Sequence, residues 1–91
     1  MDPESERLAA EFVTDRLRAG WRFRWVTDPE PRGGADADRF EAAAPGAEPT
    51  PYDFRRLGDL IRAFLAGRGV GATDQRVFEV VVAVWNDPRC Q

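Results

Sequence analysis

Residues 74–87 read DQRVFEVVVAVWND, and whether they form a strand or a helix decides the fold. Five valines in a nearly continuous apolar run favour a buried central strand. The winding favours the other answer. At 100° per residue Gln75, Arg76, Glu79, Ala83, Asn86 and Asp87 fall inside about 120°, and every large apolar residue lies outside that sector. In a strand, Glu79 would instead share a face with Val77, Val81 and Trp85. The spacing therefore predicts a helix, capped by Thr73 or Asp74 and ended by Asn86-Asp87-Pro88.

Upstream, Thr50-Pro51-Tyr52-Asp53 has the form of a capping box with Asp at the third helical position, so a second helix is expected to begin there. Phe54, Leu57, Leu60, Ile61, Phe64 and Leu65 form its apolar side, opposite Arg55, Arg56, Asp59 and Arg62, and Gly67 and Gly69 end it. Gly58, at the edge of the apolar side, would let another element come close. At the N-terminus Asp2-Pro3-Glu4 is a helix start and Gly20 a stop. Between them Leu8, Ala9, Phe12, Val13 and Leu17 share a face with one intruder, Arg16, whose stem is expected to lie on the core while its head reaches water or a carboxylate.

After Gly20 the period changes to two. WRFRW (21–25) puts Trp21, Phe23 and Trp25 on one face and Arg22 and Arg24 on the other, the pattern of a half-buried strand. Residues 27–50 are rich in Pro, Gly, Ala and acids and read as loop, with DRFEAAA inside them expected to supply a second strand that pairs with the first. The fold class expected is α+β: three amphipathic helices on a short aromatic-rich strand or two-stranded hairpin, in the order α-β-(β)-α-α, as one domain over 1–91.

Composition narrows the function. The 91 residues contain no histidine and no lysine, so every one of the 13 cations is an arginine, a bias expected of a GC-rich bacterial genome. Without imidazole there is no ready acid–base group near neutral pH, and no Ser-His or Cys-His pair. The single cysteine, Cys90, forbids an internal disulfide and a cysteine metal cluster, and its place next to the end suggests a frayed thiol. No apolar run is long enough to span a bilayer, and the acidic start MDPESERL lacks the form of a secretory signal; a cytoplasmic protein with no membrane partner is expected. GGADAD (33–38) lacks the further ligands of a calcium loop, and GRGVG (67–71) lacks the Lys-Ser/Thr of a phosphate loop. No cofactor, no metal and no catalytic residue is assigned.

The expected role is that of a small non-catalytic interaction or accessory protein, acting through a protein partner or by self-association. The apolar arcs of the first and last helices, each near 200°, exceed what one small core is expected to cover. The residues assigned to partner binding are Phe78, Val81 and Trp85 on the last helix, with Trp21 and Trp25 on the strand. The alternative is a nucleic-acid-binding regulator that uses WRFRW and the second-helix arginines Arg55, Arg56 and Arg62 as an anion site. The net charge of −3 argues against it, as does the solvent side of the last helix, which offers one cation and two carboxylates to DNA. An enzyme using Tyr52 and carboxylates ranks third.

Overall fold

The computed structural model describes residues 2–27 and 38–91. Its elements are α1 (Pro3–Arg18), β1 (Arg22–Thr27), β2 (Asp38–Ala43), β3 (Thr50–Pro51), α2 (Phe54–Gly67), α3 (Asp74–Trp85) and a closing 3-10 turn, Pro88–Cys90. The three strands form one antiparallel sheet in the order β1-β2-β3, so the fold is α+β. Of the loop expected over 27–50, residues 28–37 lie outside the described part, and with them most of GGADAD.

The residues 74–85 are helical, as their winding requires. The hydroxyl of Thr73 caps α3 by accepting the Arg76 N–H at 3.1 Å. Val77, Val80, Val81 and Val84 are buried, because α1 and α2 both pack on this helix. α1 starts at an Asp2 cap whose carboxylate accepts the Glu4 N–H at 3.0 Å, and it lays Leu8, Ala9, Phe12 and Val13 into the core. The two helices are also tied by Arg76, which donates to Asp2 at 3.0 Å and to the buried Ser5 hydroxyl at 2.9 Å. The chain then turns into β1 through Gly20 at φ +98°, where a Cβ would also meet Pro45 at 3.1 Å.

WRFRW divides as its alternation predicts. Across the β1–β2 ladder Phe23 pairs with Ala42 and Trp25 with Phe40 on the inner face, and Arg24 pairs with Glu41 on the outer face. Inside, Phe23, Phe40 and Ala42 meet Leu57, Ile61 and Leu65 of α2 and the α3 valines in one cluster. Close to Gly58, Val77 would lie 3.5 Å from an added Cβ, an ordinary contact, so the approach of α3 leaves room for alanine there.

Two expectations are corrected. The second helix begins at Phe54 and its cap is Asp53, which accepts the Arg56 N–H at 2.9 Å. Thr50 and Pro51 are drawn instead into pairing with Ala42 and Glu41, and the Tyr52 N–H bonds the Phe40 carbonyl at 2.8 Å. Strand pairing satisfies the outer edge of β2, which a helix starting at Pro51 would leave unpaired.

The second correction concerns Cys90, which is fully buried in the core and not frayed. Asp87 caps the last turn through the Arg89 N–H at 2.8 Å, and the Arg89 guanidinium bonds Asp87, Thr14 and the Ala10 carbonyl, fastening the C-terminus to α1. That hydrogen bond from Arg89 holds the Asp87 carboxyl below its usual range, against the opposing effect of its burial.

Candidate functional site

Three helices and a small sheet enclose only part of the apolar surface of α3. The buried valines occupy about 100° of its circumference; Phe78, Val82 and Trp85 follow at i, i+4 and i+7 on the adjoining flank. Phe78 is 51% exposed, and Val82 and Trp85 are half-buried. Beside them stands Phe54, the first residue of α2 and 42% exposed, with its ring 5.9 Å from Phe78 and 6.4 Å from Trp85.

This patch is the outer end of a continuous chain of rings. Phe23 contacts Phe40 at 5.9 Å, Phe40 contacts Trp25 at 5.3 Å, and Trp25 contacts Trp85 at 5.9 Å. The Trp25 indole N–H donates to the Trp85 carbonyl at 2.8 Å, fixing the end of α3 against β1. The Trp85 indole nitrogen is itself buried without a hydrogen-bond partner. Behind the patch a cleft of about 250 Å³ opens between Trp25, Phe40, Tyr52, Phe54 and Trp85, with Asp38 and Asp53 among its lining residues.

Of the residues assigned to partner binding from sequence, the structure brings Phe78, Trp85 and Trp25 together. Val81 is fully buried and has no surface to offer. Trp21 stands apart: its ring contacts Phe23 and Tyr52, and the Arg16 guanidinium lies over it at 5.2 Å. Arg16 also stacks on Phe12 at 5.4 Å, its Nε buried without a hydrogen-bond partner, so aromatic faces take the place of the carboxylate considered for it. Phe54 and Val82 are not among the residues assigned to binding from sequence, and Tyr52 is considered there only for the enzyme reading. Phe54 joins the patch because it is the first residue of its helix, and the starting point of a helix is the part of its pattern least visible in sequence.

The three arginines considered for anion binding are not a free cluster. Arg62 is spent on the Ala72 carbonyl and on Asp74, and Arg56 donates to the Pro51 carbonyl at 2.7 Å while stacking 4.2 Å from the Tyr52 centroid. Arg55 alone has no partner among the described residues. A larger cleft, about 380 Å³, crosses the outer face of the sheet beside Leu17, Arg22, Arg24, Glu41 and Arg89. Its charges are partly paired within the protein: Glu41 lies 2.9 Å from Arg39 and 3.9 Å from Arg24, and Arg89 is bound to Asp87, while Arg22 has no ion-pair partner among the described residues.

The single cysteine is placed as a core residue. Burial, with the nearby Asp87 charge adding to it, pushes the Cys90 thiol up to about 12 and keeps it protonated at neutral pH. Among the described residues no group of three His, Cys, Asp or Glu side chains could hold a metal ion, and no helix is long and apolar enough to cross a membrane. No protein-family model matches the chain, and no curated protein or solved structure is significantly similar to it.

Proposed function

We propose that this chain is a non-catalytic protein-interaction domain that docks through the aromatic flank of α3, with Phe78 at its centre and Phe54, Val82 and Trp85 around it. The carrying observation is the exposure of two phenylalanines in contact with each other, 42% and 51% open, which are the most exposed large apolar side chains among the described residues, ahead of an isolated Leu17 at 36%. Covering such side chains with a partner is worth about 1–2 kcal/mol each. Rings held by neighbouring rings lose little side-chain freedom on binding, which makes them efficient anchors. The occupant is a protein surface or a second copy of the chain.

The nucleic-acid alternative draws on Arg22 and Arg24, which stand exposed on the outer sheet face. It lacks the stacking half of its mechanism, because the Phe23 ring between those arginines points inward and is 6% exposed.

A photo-crosslinking side chain at Phe78, compared with one at the exposed α2 residue Ala63, tests the proposal in cells expressing the protein. Discrete adducts at 78, absent at 63, are expected, and adducts of twice the chain mass would identify self-association. Equal labelling at both positions, or no adduct at 78 together with a strict monomer in sedimentation, would overturn it.

A further inference from the structure

The outer face of the sheet reverses the charge of the molecule. Side chains alternate along each strand, so β1 sends Arg22, Arg24 and Val26 outward and β2 sends Ala43, Glu41 and Arg39 to meet them. Three guanidinium groups therefore share this face with one carboxylate, on a chain whose net charge is −3. The core, and with it the helices, lies on the other side of the sheet.

The carboxylate is satisfied from within. Glu41 Oε2 accepts from Arg39 Nε at 2.9 Å, and the Glu41 side chain is only 11% exposed. Arg24 Nε lies 3.9 Å from the other oxygen, beyond hydrogen-bond reach, and the Arg24 side chain is 65% exposed. Arg22 is exposed, and its guanidinium has no ion-pair or hydrogen-bond partner among the described residues. Both arginines line the cleft of about 380 Å³ on this face, where Leu17, Ala43 and Pro49 offer apolar contact.

Arg22 and Arg24 leave the strand two residues apart, a separation of about 6.5–7 Å. Carboxylates on alternate residues of an extended segment have that same spacing, and each can accept two N–H bonds from one guanidinium fork. A nucleic-acid strand would find the two cations without a ring between them to stack on, since Phe23 is turned to the core. We propose that this cleft holds an extended acidic segment of a protein partner, with one carboxylate on Arg22 and the next on Arg24. Charge complementarity selects this occupant, and the surface is separate from the α3 flank.

The probe is a fluorescein-labelled peptide of alternating glutamate and threonine, titrated with the full chain at low ionic strength and followed by fluorescence anisotropy. The same peptide with glutamine in place of glutamate is the neutral control, and labelled oligothymidylate is the nucleic-acid control. Saturable binding of the glutamate peptide is expected, stronger than that of either control. The pair Arg22→Gln and Arg24→Gln should weaken it by about tenfold or more. Arg55→Gln, which removes an exposed charge on α2, should leave it unchanged. The substituted side chains are exposed, so the fold is expected to persist, as far-UV circular dichroism would verify. No saturation, equal binding of the glutamine peptide, tighter binding of the oligonucleotide, an unchanged double variant or a comparable loss from Arg55→Gln would each overturn the proposal. Phe78→Ser keeps this test separate from the α3 reading: it should abolish adducts at the flank and leave the peptide titration intact.

Discussion

Phe12→Ala is expected to remove about 3–5 kcal/mol of folding stability. Phe12 is fully buried where α1 meets the sheet and α2, its ring 6.1 Å from Phe23 and 5.4 Å edge-on to Phe64. Truncation would open a cavity under three elements at once. It would also strip one of two aromatic supports from Arg16, whose Nε already lacks a hydrogen-bond partner. Against a total of roughly 5–15 kcal/mol for a domain of this size, the loss would leave a marginal protein. The midpoint of urea unfolding at pH 7 measures it, and a loss under about 1 kcal/mol would mean that the helix–sheet seam is packed differently.

The second large effect is alkaline. Burial holds the folded Cys90 thiol at about 12, whereas an exposed thiol ionises near pH 8.5. Below the unfolded value the thiol is protonated in both states and stability is unaffected. As pH rises above it, the unfolded chain releases a proton that the folded chain retains, so stability should fall by about 1.4 kcal/mol per pH unit until the folded value is reached. Urea unfolding between pH 7 and 10.5, with Cys90→Ala as reference, isolates that slope. The thiol should also resist alkylation in native buffer at pH 8 and react fully in urea; rapid native labelling or parallel pH profiles of the two proteins would contradict this burial.

Features of this fold that repeat along the chain are legible in its sequence, and those decided by a single contact are not. The in–out sorting of Trp21, Phe23 and Trp25 against Arg22 and Arg24 is a property of alternation, and the helicity of α3 is a property of winding, so both were legible. β3 is two residues long and owes its existence to the open edge of β2, which no periodicity reports. Cys90 looks frayed by position, but the Arg89 bonds to α1 and to Asp87, together with the packing of the last turn against β1, hold it inside. The interaction face was half legible. The excess apolar arc of α3 was visible, but which side of it remains outside depends on where α1 and α2 land. Val81, three residues from Phe78, falls toward the buried valines, whereas Val82 at four falls toward solvent. Phe54 joined the patch only because its helix starts three residues late.

The central claim is that α3 carries two apolar sides with different duties, one for the core and one for a partner. Urea unfolding of Val81→Ser and Phe78→Ser in parallel tests it most directly. Val81→Ser should lose about 2–4 kcal/mol, through lost packing and a buried hydroxyl, while Phe78→Ser should lose less than 1 kcal/mol. Equal losses for the two variants would place Phe78 in the core and contradict the account.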